Sequence, residues 1–124
     1  MKYRKIKKGE YELSEDYSYY NPEFPETYAV LGLVSVSSRT MLVRKGYKWD
    51  GPSGLLTIPT KNSIRASLIH DVSYSLISEN IYPKSFRKQA DKILRSVLRL
   101  DGMSWFRSEA WYFAVRLFGW RHIQ

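Results

Sequence analysis

Cysteine is absent from the 124-residue chain, and histidine occurs only twice, at His70 and His122. The lack of cysteine excludes a disulfide framework, a thiolate zinc site and a cysteine nucleophile. Two histidines are also too few for a metal-dependent phosphohydrolase built on several imidazole ligands. No apolar run approaches the roughly 18 residues that a membrane-spanning helix needs. The basic N-terminus leads into polar, tyrosine-rich sequence, so we expect neither a signal peptide nor a transmembrane segment.

Acidic residues are outnumbered by basic ones, 12 to 20, which gives a formal net charge of +8. The surplus of basic residues lies after residue 26. Residues 1–26 carry five basic and six acidic residues, and the other 98 residues carry fifteen basic and six acidic ones. Such a surface favours anionic partners, among them phospholipid headgroups, a membrane surface and acidic proteins, although solubility alone also explains it. No helix-turn-helix, zinc or RNA-recognition signature accompanies the charge, so we do not expect sequence-specific nucleic-acid binding.

The order of the patterns predicts a single α+β domain over residues 1–124, in which a small N-terminal antiparallel β-sheet precedes three helices. Residues 1–50 are predicted to be mainly β, residues 51–62 a loop and residues 63–120 helical.

Local signals refine this division. Val, Leu and Tyr predict strands at 28–36 and 41–48 that form a hairpin, with a third strand within 2–13. Prolines and acidic residues predict an irregular connection at 14–27. Apolar residues at helical spacing predict three helices, over 63–78, 84–101 and 104–118. Ser63 and Ser104 are the predicted N-caps of the first and third helices, and Gly102 ends the second.

Three side chains of the first two helices form a candidate acid–base site. His70 and Tyr74 lie one turn apart on the same helix face. Asp91 falls at the edge of the next helix's apolar stripe, where a carboxylate needs a partner. Antiparallel packing would bring Asp91 to both, and the carboxylate would orient the imidazole while its other nitrogen serves as a general base. The alternative is a core histidine satisfied by a buried carboxylate, without turnover.

A glycine-containing loop precedes the first helix and forms a candidate metal site. Loop carbonyls combined with a carboxylate suit calcium, which takes about 6–8 oxygen ligands. Asp71 is the natural carboxylate. It lies about 100° around the helix from His70, so the two side chains aim at adjoining points. The loop candidates are Asp50, Gly51, Ser53 and Gly54, although Gly-Pro-Ser-Gly is also an ordinary turn sequence.

The segment from Ala66 to Tyr74 resembles the active-site helix of the calcium-dependent phospholipase A2 superfamily, whose pattern is His-Asp-x-x-Tyr. Asp91, preceded by Ala90, stands where that superfamily has the second Asp of its dyad. Roughly residues 42–120 are also similar to a family of uncharacterised phage and prophage proteins. The shared features are Gly46-x-x-x-Asp50-x-x-Ser53, His-Asp-x-x-Tyr, Arg87-x-x-x-Asp91 and a closing Val115 to Gly119.

The resemblance implies a phospholipase A2-like helical pair and calcium-assisted hydrolysis of a phospholipid sn-2 ester. His70 would be the general base, Asp91 would orient it, and Tyr74 would hydrogen-bond Asp91. Asp71 would bind calcium together with carbonyls from residues 51–54.

A phage origin implies synthesis in the host cytoplasm and association with the virion. The alternative function is a non-enzymatic phage virion or host-interaction protein on the same scaffold, with a phage or host protein as partner. Aromatic residues crowd the third helix and the N-terminal segment, which favours this alternative.

Overall fold

The computed structural model describes residues 1–50 and 60–119 of the chain. Contacts divide the chain into two compact units, Met1–Asp50 and Gly51–Gln124. Within the described residues, the first unit holds antiparallel strands and the second holds three α-helices. The predicted α+β order of strands followed by helices is confirmed.

The described part of the first unit contains seven strands in two antiparallel sheets. They are β1 (Tyr3–Lys7), β2 (Glu10–Leu13), β3 (Tyr17–Tyr20), β4 (Thr27–Leu31), β5 (Val34–Ser38), β6 (Thr40–Val43) and β7 (Lys48–Asp50). One sheet has the order β1-β2-β7, and the other has the order β3-β6-β5-β4. The predicted hairpin is present as β5 and β6, which pair from Val34↔Val43 to Ser37↔Thr40.

The strand boundaries differ from the prediction where glycine turns the chain. The predicted strand 28–36 is two strands, because Gly32 adopts φ +57° and reverses the direction between β4 and β5. The predicted strand 41–48 is also divided, since Gly46 adopts φ +97° between β6 and β7. Glycine adopts positive φ readily, which makes both turns accessible.

A further difference lies in residues 14–27, which were predicted to be irregular but contain β3. This strand pairs with β6, and its residues alternate, with Tyr17 and Tyr19 half-buried and Ser18 and Tyr20 exposed. The four-stranded sheet buries alternate residues in the way that period-two strands allow. Its buried apolar side chains include Val34, Val36, Met41 and Val43.

The helices of the second unit are α1 (Ile64–Ser78), α2 (Arg87–Leu100) and α3 (Trp105–Phe118). The Ser104 hydroxyl accepts a hydrogen bond from the Arg107 amide at 3.2 Å, so the predicted cap of α3 is confirmed. Ser63 precedes α1 as predicted, but its hydroxyl donates to the Thr60 carbonyl instead of capping the helix. Gly102 ends α2 at φ +101°, and the Met103 amide donates back to the Leu98 carbonyl.

The first two helices pack antiparallel. Arg65, at the start of α1, pairs with Asp101, which follows the end of α2. Farther along α1, Tyr74 contacts Arg87 at the start of α2. Their facing sides bury mainly Ile, Leu, Val and Ala, so the polar groups among them are exceptions that need hydrogen-bond partners.

Candidate active site

His70 and Tyr74 lie one turn apart on α1 and are directed to the same place. Their ring centroids are 4.1 Å apart, with the rings inclined by 40°. Tyr74 is buried, and the His70 side chain is only 13% exposed. The imidazole therefore has tyrosine against one face and narrow access to solvent.

Asp91 of α2 is fully buried and lies against both residues. Its Oδ1 accepts hydrogen bonds from His70 Nε2 at 2.7 Å and from the Tyr74 hydroxyl at 2.5 Å. Its Oδ2 accepts from Arg116 Nη1 at 2.8 Å. A buried carboxylate is tolerated when it is paired and hydrogen-bonded in this way. The structure thus brings together His70, Tyr74 and Asp91, while their catalytic roles stay predictions.

The contact with Asp91 assigns the two imidazole nitrogens different roles. An ionised carboxylate only accepts hydrogen bonds, so Nε2 of His70 carries the hydrogen. Nδ1 is then the unprotonated acceptor of the neutral ring, and it has no hydrogen-bond partner within the described part of the chain. This nitrogen can take a proton from a reactant.

The same contacts shift the pKa of the Asp91 carboxyl group and of the Tyr74 phenol. Burial raises the pKa of Asp91, but the hydrogen bond and charge of His70, followed by the hydrogen bonds of Tyr74 and Arg116, bring it below its ordinary value. Burial, and then the negative charge of Asp91, raises the pKa of Tyr74 well above its ordinary value. At neutral pH, Asp91 is therefore ionised and Tyr74 is protonated.

Arg116 and Arg87 complete the cluster, and the spacing of the candidate residues did not predict this arrangement. Arg116, in the last turn of α3, balances the charge of Asp91. Arg87 Nε donates to the Tyr74 hydroxyl at 3.3 Å. Its Nη2 donates to the carbonyls of Val115 and Arg116, at 3.0 and 2.9 Å. For Arg87 the available signal was the Arg87-x-x-x-Asp91 motif, whereas no local motif marked Arg116.

Gly119, just after α3, lies directly against the tyrosine. A Cβ atom built on Gly119 would fall 2.5 Å from the Tyr74 hydroxyl and 3.0 Å from Cε2 of the same ring. Glycine therefore allows the end of α3 to approach the site closely. This contact gives a physical reason for the glycine at the end of the Val115 to Gly119 motif.

The predicted metal ligands are only partly described. Asp71 lies on α1, next to His70 in sequence, and is half-buried. Asp50 is exposed at the end of β7, in the other compact unit. Gly51, Ser53 and Gly54 lie outside the described residues. Residues 1–50 and 60–119 contain no group of three or more His, Cys, Asp or Glu side chains that could hold a metal ion.

Comparisons with known proteins identify a family and no individual relative. No curated protein and no solved structure matches the chain. A family profile matches residues 30–115, a stretch that contains His70, Tyr74, Arg87 and Asp91 and ends one residue before Arg116. The sequence-based assignment to an uncharacterised family is confirmed, since the chain belongs to DUF1353, a family of proteins of unknown function.

Proposed function

We propose that the protein is a phage-related hydrolase of the phospholipase A2 type, which cleaves the sn-2 ester of a phospholipid. The observation that carries the proposal is the contact between His70 Nε2 and the buried carboxylate of Asp91. In the neutral ring this contact places the hydrogen on Nε2 and leaves Nδ1 as the acceptor, which is the form a general base requires. The resemblance of the His-Asp-x-x-Tyr helix to that of the phospholipase A2 superfamily supports the choice of substrate.

In the proposed reaction, Nδ1 of His70 takes a proton from water while the water oxygen attacks the ester carbonyl carbon. The bond between that carbon and the glycerol oxygen then breaks, and the imidazolium returns the proton to the leaving oxygen. The products are a fatty acid and a lysophospholipid. Asp91 orients the ring and stabilises the imidazolium, as a carboxylate does in other His–Asp pairs.

Tyr74 and Arg116 act through Asp91. Tyr74 donates to Oδ1 and Arg116 to Oδ2, so the carboxylate cannot rotate away from His70 without losing these two hydrogen bonds. Arg116 also neutralises the charge of Asp91, which makes the ionised carboxylate stable in a buried position whether or not His70 holds a proton.

Calcium is the cofactor that the proposal includes. The Asp71 carboxylate and the carbonyls of residues 51–54 are hard oxygen donors of the kind that calcium prefers. When bound, the ion would polarise the ester carbonyl and stabilise the developing negative charge. Calorimetric titration with calcium, on the purified chelator-treated protein and on Asp71→Ala, tests this ligand assignment. Binding that persists unchanged in the variant would contradict it.

The proposed site of action is the bacterial membrane during phage entry or release, with synthesis in the host cytoplasm and association with the virion. None of the helices within residues 1–50 and 60–119 has the length and apolar character needed to span a bilayer. In this proposal the protein acts on its lipid substrate at the membrane surface.

The decisive assay is hydrolysis of a phospholipid with distinguishable acyl chains, in millimolar calcium. We expect release of the sn-2 chain, and we expect His70→Gln to lower the rate by about a hundredfold or more, because the general base is lost. His122→Gln, the same substitution at the other histidine, serves as the matched control and should keep the activity. Wild-type protein that releases no fatty acid where a known phospholipase does would contradict the proposal, and so would an active His70→Gln protein.

A non-enzymatic phage virion or host-interaction protein is the second candidate. It is favoured by Tyr28 and Val30, which are 70% and 77% exposed on β4 at the edge of the four-stranded sheet. Exposed apolar side chains on an edge strand are typical of protein contacts. This candidate predicts a stable oligomer or a specific protein partner. It also predicts that His70→Gln changes stability while no hydrolysis is seen in any variant.

A further inference from the structure

One face of α3 presents large apolar side chains to solvent. Phe106, Phe113 and Leu117, spaced by seven and four residues, fall in line along the helix and are 83%, 61% and 59% exposed. Trp105 packs edge-on against Phe106, with ring centroids 5.2 Å apart, and is also exposed. Trp105, Phe106, Phe113 and Leu117 are here named the α3 apolar stripe. Trp111, on the opposite face, is fully buried, so the core contact of α3 does not explain the stripe.

The charged side chains around the α3 apolar stripe are mainly positive. Residues 87–118 contain seven basic and three acidic residues, a net charge of +4. Each of the three carboxylates is already paired with arginine. Asp91 pairs with Arg116, Asp101 with Arg65, and Glu109 with both Arg95 and Arg99. The ammonium groups of Lys88 and Lys92 add positive charge along α2 that none of these carboxylates balances.

The cations of α2 lie beside α3. The Arg95 guanidinium stands 4.1 Å from the Tyr112 ring centroid, and that of Arg99 stands 5.7 Å from the Trp105 ring centroid. Both arginines are partly exposed, so the solvent-facing surfaces of α2 and α3 are continuous where these side chains contact α3. The result is an apolar row bordered by a basic row on a single surface.

We infer that this α2–α3 surface docks on an anionic phospholipid bilayer, with the α3 apolar stripe entering the headgroup region and the α2 cations facing the lipid phosphates. Amphipathic helices with aromatic and leucine side chains on one face and lysine or arginine beside it bind membranes in this way. Tryptophan and phenylalanine suit the interface because their rings are large and apolar.

The charge pattern favours lipid over a second copy of the chain as the occupant. A symmetric dimer through the stripe would place two basic rows around one interface, and like charges there oppose association. Among anionic surfaces, the choice of phospholipid rests on the proposed function, whose substrate is presented in such a bilayer. The docking surface itself consists of residues other than His70, Tyr74 and Asp91, so it can be tested separately from catalysis.

The experiment measures binding of the full chain to extruded vesicles by co-sedimentation, in chelator so that no calcium-dependent hydrolysis occurs. The test variant is Phe106→Ser/Phe113→Ser. The matched control is Tyr28→Thr/Val30→Thr, which removes two equally exposed apolar side chains from β4. Circular dichroism confirms that both variants are folded.

We expect the wild type to bind phosphatidylglycerol vesicles, to bind phosphatidylcholine vesicles more weakly, and to lose affinity as salt is added. The Phe106→Ser/Phe113→Ser protein should bind at least about tenfold more weakly, because two inserted rings are lost. The control should bind as the wild type does.

Wild-type protein that does not sediment with phosphatidylglycerol vesicles, or a test variant that binds as well as the control, would overturn the inference. Sedimentation velocity gives a third outcome, in which the wild type is a dimer that Phe106→Ser/Phe113→Ser dissociates. That result would assign the stripe to a second copy and would also overturn it.

A parallel assay with a monomeric, short-chain phospholipid in calcium keeps the two proposals apart. Hydrolysis of that substrate without vesicle binding contradicts the docking surface and supports the proposed function. Stripe-dependent vesicle binding without any hydrolysis contradicts the proposed function and supports the docking surface.

Discussion

The strand unit and the helical unit differ in how exposed their charged side chains are to solvent. In Met1–Asp50, the Arg4 side chain that pairs with Glu12 is 67% exposed, and water screens the pair. In the helical unit, Asp91 is fully buried, and His70, Tyr74 and Arg116 supply all of its described hydrogen bonds. Removing the charge of Glu12 should therefore matter little, and removing that of Asp91 should matter a great deal.

The largest effect is expected from Asp91→Ala, which leaves Arg116 and the Tyr74 hydroxyl without their acceptor. We expect the free energy of unfolding to fall by about 3 kcal/mol, the low end for breaking a buried pair, because Arg116 reaches solvent. Urea unfolding followed by circular dichroism measures it. Asp101→Ala, which breaks the half-buried pair with Arg65, is the control and should cost under about 1 kcal/mol. Equal losses in the two variants would remove the contrast between the fully buried carboxylate and the half-buried pair.

A smaller effect is expected from Gly119→Ala, because the new methyl group meets the Tyr74 ring. Overpacking of this kind costs about 1–3 kcal/mol, and we expect the same urea assay to show a loss near 1 kcal/mol, since a helix end can shift. Combined with Tyr74→Phe, the substitution should cost less than the sum of the two single changes, because the closest atom is then absent. Strict additivity would mean that the contact is not tight.

The third prediction concerns the free energy of unfolding at acidic pH. The pKa of Asp91 is lower in the folded protein than its ordinary value of about 3.9. A lowered pKa contributes stability that is present above the unfolded-state value and is lost as pH falls through the folded-state value. Below about pH 4, the wild type should therefore lose more stability per pH unit than Asp91→Asn does. Urea midpoints of both proteins across the acidic range give this difference, and parallel curves would contradict it.

The smallest effect is expected in the strand unit, from Glu12→Gln. This change removes the ion pair with Arg4, and we expect a cost below about 0.5 kcal/mol in urea unfolding, because the pair is screened. High salt should shrink the cost further, while the cost of Asp91→Ala should change little. A loss comparable to that of Asp91→Ala would show that the strand unit also depends on charge.

Helical periodicity made the helical unit the easier part to predict. Positions four residues apart must share a helix face, so His70 and Tyr74 could be placed together from spacing alone. The pairing of Asp91 could be predicted because it lies at the edge of an apolar stripe, where a carboxylate is stable only when it has a partner. The helix ends at Gly102 and Ser104 followed from the preferences of glycine and serine at such positions.

The strand unit was harder, because a glycine within an apolar run can continue a strand or reverse it. Gly32 reverses the chain between paired strands and Gly46 lies in a turn between strands of different sheets, and nothing local distinguishes them from a glycine within a strand. The pairing of β3 with β6 joins residues about 20 or more positions apart, and sequence patterns carry little information about such pairs.

Arg116 was missed for a related reason. Its role depends on how the end of α3 lies against α1 and α2, whereas its neighbours in sequence indicate only a basic, aromatic helix. The side chain that balances the central carboxylate of the site is therefore set by tertiary packing and not by a local motif.

Arg87 hydrogen-bonds the carbonyls of Val115 and Arg116, which connects the C-terminal end of α3 to the candidate active site. Helix termini ordinarily open and close on their own, ahead of the rest of a fold. Here the turn that would open also carries Arg116, so each opening withdraws the positive charge from Asp91. We therefore expect opening of the last turn of α3 and the pairing of Asp91 with Arg116 to be coupled, so an agent that unwinds or clamps this turn should act on both.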